Sequence, residues 1–267
     1  MLASGADIVE INTIRKRLSA VKGGRFAALC APARVFSVVL SDIIGDPLDM
    51  IASGPAYPDG STTEQALYIV EKYGLALSAE AMALLRAETP KSLPHVETHV
   101  TGSVRQLCAA AETSCRELGY RPTVLTASLC CEAREAGRFF AAIAAYYQQS
   151  RESVAFIAGG ETVVHVRGKG LGGRNQELAL SAAQGIAGMA DTALFSFGSD
   201  GTDGPTDAAG GYVDGRTCAA LEAQGRRIAD ALDDNDAYHA LRAVDGLLMT
   251  GATGTNVNDL TVLLVRR

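Results

Sequence analysis

The stretch from Phe195 to Gly211, FSFGSDGTDGPTDAAGG, constrains the chain more than any other. An apolar run that breaks directly into a Gly-rich loop matches a buried strand of an α/β sheet, and such sheets place ligands at the carboxyl ends of their strands. Asp200, Asp203 and Asp207 lie in this loop among five glycines. Glycine admits close approach of backbone to a ligand, and aspartate suits a divalent cation, typically Mg²⁺ with a phosphate oxygen as co-ligand. The same residue types are also the commonest turn formers. Two further loops of this character, Gly168–Arg174 and Gly251–Asp259, favour a site over three unrelated turns.

Length and charge narrow the classes. With 267 residues the chain can bury one large core or two modest ones, and two lobes are expected. The net charge is -6 and there is no basic stripe or aromatic-basic interleaving, which argues against a nucleic-acid partner. Apolar runs are interrupted before the ~18 residues a spanning helix needs, and the N-terminus lacks the charged and apolar regions of a signal peptide. A soluble, cytoplasmic protein with no membrane partner is expected. The six cysteines, Cys30, Cys108, Cys115, Cys130, Cys131 and Cys218, form no CxxC pair and have no His at ligand spacing, so they read as reduced, mostly buried small hydrophobes. Adjacent Cys130 and Cys131 can be reactive, but without an electropositive neighbour pattern ordinary packing is favoured. His95, His99, His165 and His239 are scattered and read as structural. No GxSxG elbow occurs, which argues against the common serine hydrolases.

Along the chain, Asp7 can cap a first helix with Glu10 at the capping-box position and Ile8, Ile11, Ile14 and Leu18 as its apolar stripe. Arg15, Lys16, Arg17 and Lys22 follow, most of them expected on a solvated face; Lys22 beside Gly23-Gly24 is the candidate anion contact. Phe36 to Leu40 has the pattern of a strand covered on both faces. The following segment carries Asp42, Asp46, Asp49 and Ser53-Gly54-Pro55 without periodicity, which predicts a long ordered loop. Helices are expected over Glu64 to Tyr73 and Ala79 to Ala87, and Thr89 to Pro94 is the expected boundary between lobes, 1–94 and 95–267. Beyond it come a helix stopped by Gly119, a strand at Pro122 to Thr126 and a helix from Glu132 to Tyr147. Val154 to Ala158 and Thr162 to Val166 flank glycines closely enough for a hairpin, so the sheet should be mixed. A helix from Asn175 to about Ala187, the Phe195 strand, helices near Thr217 to Ala231 and Ala237 to Ala243, and strands at Leu247 to Met249 and Leu260 to Val265 complete the set.

The loop GKGLGGR over 168–174 matches neither the Walker loop nor GxGxxG. Glycines leading into a helix N-terminus still expose N–H groups at the positive end of a dipole, and Arg174 adds a bidentate donor for phosphate or carboxylate. The alternative is a flexible loop with an exposed arginine. The third loop, Gly251-Ala252-Thr253-Gly254-Thr255-Asn256-Val257-Asn258-Asp259, offers hydroxyls, amides and one carboxylate. It can bind the hydroxyls of a sugar or acid, or satisfy its own backbone.

Four stretches taken together, INTIRKRLSAVKGG, SDIIGDPLDMIASGPAYPD, GGETVVHVRGKGLGGRNQELAL, and GSDGTDGPTDAAGG with TGATGTNVNDL, resemble the class II glycerate 2-kinases, whose C-terminal part is the MOFRL domain. The resemblance runs from Leu2 to Val265. It implies an α/β fold with a partial Rossmann-like lobe and a C-terminal MOFRL α/β lobe containing a mixed sheet. It further implies ATP-dependent phosphorylation of D-glycerate to 2-phosphoglycerate, with the arginine implicated in catalysis at Arg174. Phosphoryl transfer depends on charge neutralisation and in-line placement, and residue type and loop position suggest who supplies them. Gly172 and Gly173 with Arg174 would hold phosphate or the glycerate carboxylate; Asp200, Asp203 and Asp42 are Mg²⁺ candidates; Lys22 and Ser53-Gly54 would border the substrate.

Family members carry an additional N-terminal segment that includes a lysine implicated in catalysis, whereas this chain begins with Met1-Leu2-Ala3 just before the first motif. The expectation is that part of the Rossmann-like lobe is missing, that the first helix is left with apolar surface open to self-association or to a complementing N-terminal segment, and that activity alone is low. Two other functions stay open. Hydroxypyruvate reductase, a label the family has carried, would need a nicotinamide site, and no GxGxxG with an acidic residue about 20 positions on is present. The other is a non-catalytic remnant, or one half of a split enzyme.

Overall fold

Asp7 decides where the first helix begins. Its carboxylate accepts the Glu10 N–H at 2.8 Å while the Glu10 carboxylate accepts the Asp7 N–H at 3.1 Å, closing a capping box ahead of α1 (Ile8–Leu18). In the computed structural model residues 4–45 and 47–267 are described; Met1, Leu2, Ala3 and Asp46 of the motifs lie outside the described residues. The chain divides into two compact units, 1–101 and 102–267.

The first unit holds α1, α2 (Arg25–Cys30), β1 (Val35–Leu40), a 3-10 turn at Ile51–Ser53, α3 (Thr63–Lys72), α4 (Ala79–Leu85) and β2 (Val96–Gly102), which pairs with β1. Ile14 is fully buried against Ala66, Ile69 and Leu85, so the α1 stripe finds its partners in α3 and α4 within this chain. Only its ends remain open, Ile8 at 61% and Leu18 at 38% exposure. β1 is not covered on both faces as its apolar run suggested: Phe36, Val38 and Leu40 alternate outward and are exposed. Lys16 and Arg17 also depart from expectation, being fully buried instead of solvated. Their charges are met inside. Lys16 Nζ donates to Asp49 at 2.8 Å and Asp59 at 3.1 Å, and Arg17 donates to the Ser61 hydroxyl at 2.8 Å and the Ser61 carbonyl at 2.9 Å. Burial pushes the Asp59 carboxyl up, but the Ser61 N–H, the Thr89 hydroxyl and Lys16 together hold it below its ordinary range.

The second unit is a six-stranded mixed sheet of order β3-β4-β8-β5-β6-β7. Its elements are α5 (Val104–Glu117), β3 (Arg121–Leu129), α6 (Ala133–Tyr146), β4 (Val154–Gly160), α7 (Arg174–Gly185), β5 (Thr192–Gly198), β6 (Gly210–Asp214), α8 (Thr217–Glu222), α9 (Ile228–Asp233), α10 (Ala237–Arg242), β7 (Leu247–Leu248) and β8 (Asp259–Val265). β3 and β4 run parallel and the remaining neighbours antiparallel. Period-two alternation sorts the strand residues onto two cores. Val154, Phe156, Ala158, Leu263 and Val265 pack with α6 and α7, whereas Ala155, Ile157, Leu260 and Val262 pack with Val104, Cys108 and Cys115 of α5.

Three expectations fail here for local reasons. Thr162 to Val166 forms no hairpin partner for β4, which pairs instead with β3 and with the last strand of the chain. The helix expected over 217–231 is split into α8 and α9, with Gly225 left-handed at φ 70° between them. β6 starts on Gly210-Gly211, which read as loop; a Cβ on Gly210 would lie 1.9 Å from the Ser196 carbonyl oxygen, so the strand needs glycine to pair closely with β5. Among the cysteines only Cys108 and Cys115 are buried, and Cys130 and Cys131 are exposed. Among the described residues no helix is long and apolar enough to cross a membrane.

Gly137 of α6 sits so close to α7 that a Cβ would meet the Leu178 carbonyl oxygen at 2.3 Å and the Ser181 Cβ at 2.9 Å. Gly137→Ala is expected to destabilise the fold by roughly 1–3 kcal/mol through overpacking, although alanine is the better helix former. Gly60→Ala, where an added Cβ meets nothing within 4 Å, should change stability by less than about 0.5 kcal/mol. Urea denaturation of the two variants checks this; equal midpoints would mean that α6 and α7 separate freely.

Candidate functional site

Strand pairing brings Gly160 at the end of β4 and Gly198 at the end of β5 to either side of Asp259, the first residue of β8. The loops that leave this sheet edge therefore meet at one place, and α7 begins there. The acidic loop folds over the N-terminus of α7. Asp203, 3% exposed, accepts the backbone N–H of Asn175 at 3.1 Å and of Gln176 at 2.8 Å, and the Asn175 side-chain amide at 3.3 Å. A carboxylate from a distant loop thus fills the capping role that Gly173, at the N-cap position, has no side chain to perform. A Cβ on Gly173 would lie 2.3 Å from the Asp203 carboxyl carbon, so glycine is what lets the two loops touch.

The helix N-terminus that looked available to a ligand anion is thus partly occupied by the chain's own carboxylate. The same holds for the glycine loop before it. Asn235, in the left-handed region at φ 55°, accepts the N–H groups of Arg167 at 2.7 Å and Gly168 at 2.9 Å. Asp234 takes Lys169 N–H at 2.9 Å through its side chain and Gly170 N–H at 2.8 Å through its carbonyl, and Asp236 takes Leu171 N–H at 3.0 Å. Residues 167–171 are therefore neither a flexible loop nor an open phosphate cradle.

Arg174, the first residue of α7, is held by two carboxylates. Its Nε and NH2 donate to the two oxygens of Asp259 at 2.5 and 3.0 Å, and NH1 donates to Glu161 at 2.9 Å. The third loop is laced to the acidic loop: Thr253 donates its hydroxyl to the Ser199 carbonyl at 2.6 Å and its N–H to the Asp200 carbonyl at 3.1 Å, and Val257 N–H donates to the Ser199 hydroxyl at 2.7 Å. All three glycine-bearing loops singled out in the sequence converge at Arg174. The hydroxyls of this third loop serve largely its own backbone.

Asp200 caps its own turn by accepting Thr202 N–H at 2.9 Å through one oxygen. Asp42 belongs to the first unit, exposed just beyond β1. Among the described residues no three His, Cys, Asp or Glu side chains gather into a group able to hold a metal ion. In the first unit Lys22 and Ser53 meet: Lys22 Nζ donates to the Ser53 hydroxyl and to the Ala52 carbonyl, both at 3.2 Å. Ala52, Ser53 and Gly54 are all left-handed, at φ 51°, 61° and 60°, a strained run tied to Gly23 and Gly24 by the Ser53 and Gly54 carbonyls. Asn12 accepts the Ser53 hydroxyl at 3.3 Å.

Sequence reasoning passed over Glu161, Asp259, Asn175, Asn235 and Asn12 as site residues. Asp259 carried a signal, as the one carboxylate of a loop already marked; Asn12 and Asn235 carried none, because their partners are remote in sequence.

The MOFRL family model matches residues 154–259, and a domain of unknown function, DUF4147, matches residues 1–86. The chain is 53% identical to a D-glycerate 2-kinase of Thermotoga maritima, covering 99% of this chain and 64% of the relative. It is 39% identical to a relative from Agrobacterium vitis that bears a hydroxypyruvate reductase name, covering 99% of this chain and 71% of that one. The chain belongs to the MOFRL-containing glycerate 2-kinase family. A crystal structure of the Thermotoga maritima glycerate kinase superposes with a TM-score of 0.96 at 54% identity, over 99% of this chain and 65% of that one. The chain thus spans a little under two thirds of the Thermotoga protein. The family assignment agrees with the α/β fold and the mixed sheet read from the sequence.

Burial pushes the Asp203 carboxyl up to about 6, against the lowering effect of the Gln176 and Asn175 N–H groups and with the Asp259 charge adding to the rise. A raised acid binds its proton in the native state first, so between about pH 6 and its unfolded value near 4 this group makes the fold more stable as pH falls. The melting-temperature advantage of wild type over Asp203→Asn is expected to widen as pH is lowered from 7 to 4.5. A gap that stays constant across this window would show that Asp203 titrates as an ordinary surface carboxylate.

Proposed function

We propose that the chain carries out the phosphoryl transfer of the glycerate 2-kinases, moving the γ-phosphoryl group of ATP to the 2-hydroxyl of D-glycerate with Mg²⁺ as cofactor. The observation that carries this reading is the 53% identity to the Thermotoga D-glycerate 2-kinase over 99% of the chain, with a guanidinium fixed where three sheet-edge loops converge. In the reaction the hydroxyl oxygen of C2 attacks the γ-phosphorus, the bond to the ADP oxygen breaks, and the hydroxyl proton leaves. Little covalent chemistry is asked of the protein; placement and charge stabilisation supply the rate.

Arg174 is the catalytic candidate, contributing a cation on a rigid helix for the transferring phosphoryl group or the glycerate carboxylate, with Gly172 and Gly173 giving backbone clearance. Lys22, Ser53 and Gly54 are proposed to border the substrate; in support, Lys22 and Ser53 share a hydrogen bond at 3.2 Å. For Mg²⁺ the donor set fits unequally. Asp203 has both oxygens engaged by N–H groups, whereas Asp200 commits one oxygen to Thr202, so Asp200 is the better direct ligand and Asp203 the better contact through water. Asp42 remains a further candidate. With no group of three such ligands among the described residues, the ion would keep several waters and bind with phosphate oxygens, as Mg²⁺ commonly does, and it would neutralise charge there.

A coupled ADP-release assay with D-glycerate tests the reading on this chain alone and with the part of the Thermotoga relative it does not cover, supplied as a separate polypeptide. Turnover in either arm supports glycerate kinase; turnover only with the added polypeptide supports one half of a split enzyme, and its absence from both removes the reading. Self-association of the chain is expected to compete with such complementation. The hydroxypyruvate reductase name of the Agrobacterium relative motivates one control, an absorbance change of a nicotinamide cofactor with hydroxypyruvate.

In any active form, Arg174→Ala is expected to lower kcat by roughly a hundredfold or more, the scale of one preorganised charge donor, and also to lower the melting temperature, because it strands the Asp259 carboxylate. Unchanged kcat with a collapsed melting temperature would make the residue structural. Asp200→Asn is expected to raise the Mg²⁺ concentration needed for half-maximal rate; an unshifted titration would remove Asp200 from the metal site.

A further inference from the structure

The two carboxylates that hold Arg174 are unlike in every respect that governs exchange. Asp259 engages two nitrogens of the guanidinium, Nε and NH2, at 2.5 and 3.0 Å, and its side chain is 7% exposed. It is also fixed by pairing, since it begins β8 between Gly160 and Gly198. Glu161 makes one contact with the guanidinium, to NH1 at 2.9 Å, and its other oxygen accepts a long hydrogen bond from the Asn258 amide at 3.5 Å, with a side chain 47% exposed. A buried bidentate pair cannot be opened without leaving a charge desolvated and alone, whereas a single contact between partly solvated groups contributes little and breaks readily.

We propose that Glu161 is an exchangeable counter-anion of Arg174, giving up NH1 to the carboxylate or phosphoryl group of the bound ligand, while Asp259 is the positioning residue that keeps the guanidinium plane fixed throughout. The inference rests on the glycerate kinase reading for the identity of that ligand. Its geometry is specific. With Nε and NH2 tied side-on to Asp259, the guanidinium keeps NH1 and the second NH2 hydrogen as its outward edge, which matches the two oxygens of a carboxylate or phosphate. Glu161 lies on that edge. Its backbone is anchored, Glu161 N–H donating to the Leu129 carbonyl at 2.8 Å, so the exchange is a side-chain rotation and asks no movement of the strand. The ligand therefore competes with an internal carboxylate, and the chain holds its arginine neutralised until a better anion arrives.

Calorimetric titration of the full chain with D-glycerate and with D-2-phosphoglycerate tests this, in wild type, Glu161→Gln, Asp259→Asn, Arg174→Ala and the double variant Glu161→Gln/Arg174→Ala. Glu161→Gln is expected to tighten binding by about three- to fivefold, the size of an exposed ion pair. Asp259→Asn should weaken it by at least tenfold. In the Arg174→Ala background Glu161→Gln should have no effect, which a general change in surface charge would not reproduce. Weaker binding by Glu161→Gln would mean that Glu161 contacts the ligand productively and would overturn the proposal, leaving the glycerate reading intact. Equal tightening with and without Arg174 would overturn it too. If no form of the chain binds either compound, the proposal fails, and the ADP-release assay with the added polypeptide decides separately whether the reading beneath it fails too. The exposed position of Glu161 keeps the decisive comparison independent of whether Asp259→Asn folds.

Discussion

The contact on which the rest of the second unit's site depends is the carboxylate of Asp203 against the N-terminus of α7. A helix begins with N–H groups that have no partner within the helix, and burying them unpaired is costly. Gly173 precedes the helix and has no side chain to offer, so the partner comes from across the fold. One interaction then does several things. It ends the acidic loop in a defined place, it aligns Arg174 as the first helical residue, and through Asn175 it reaches Ser196 at 2.6 Å and so the β5 strand and Thr261 of β8. The cost is visible in Asp203 itself, whose carboxyl rises to about 6 because three N–H donors do not fully offset its removal from water.

The two units use buried charge for different ends. In the first, Lys16 and Arg17 are completely enclosed; Asp59 meets Lys16 directly and also accepts from Ser61 and Thr89, and Ser61 in turn accepts from Arg17. Removing any one partner there would strand a charge, so the network fixes how α1 sits on the loop over residues 49–61. In the second, Arg174 is enclosed on the Asp259 side and open on the Glu161 side. A network closed on all sides specifies a structure; one closed on a single side leaves a cation that can be addressed from outside.

Much of this was legible in the sequence because it is local. The capping box at Asp7, the α3 and α7 helices and the three glycine loops follow from spacing, and the loops do converge; the sheet is mixed as expected, but through β8 and not through the hairpin that spacing suggested. What the sequence hid is non-local. A glycine loop opening a helix looks like an anion cradle until Asp203, Asp234, Asn235 and Asp236 arrive to take its donors. Lys16 and Arg17 look solvated until Asp49 and Asp59 meet them from more than thirty positions away. Thr162 to Val166 looks like half of a hairpin, yet β4 takes as its neighbour a strand about a hundred residues later, which sets β4 inside the sheet, where α6 and α7 cover one face and α5 the other. In each case composition correctly marked where polar chemistry concentrates and could not say which partner would reach it.

The charge balance around Arg174 bears directly on how a nucleotide would be received there. Asp259, Glu161 and Asp203 all act on the guanidinium, so one cation stands among three carboxyl groups. Such a surrounding repels a bare triphosphate. For a kinase this is workable under two conditions, both of which the residues allow. The nucleotide has to bring its own positive charge, which a magnesium complex does, and one carboxylate has to leave the guanidinium when the anion arrives, which only Glu161 is exposed enough to do. Burial raises the Asp203 carboxyl to about 6, and a cation nearby would favour its ionised form. On the proposed reading, Asp200 and Asp203 would face the magnesium complex of the nucleotide, and Arg174, once Glu161 gives up NH1, would hold the transferring group.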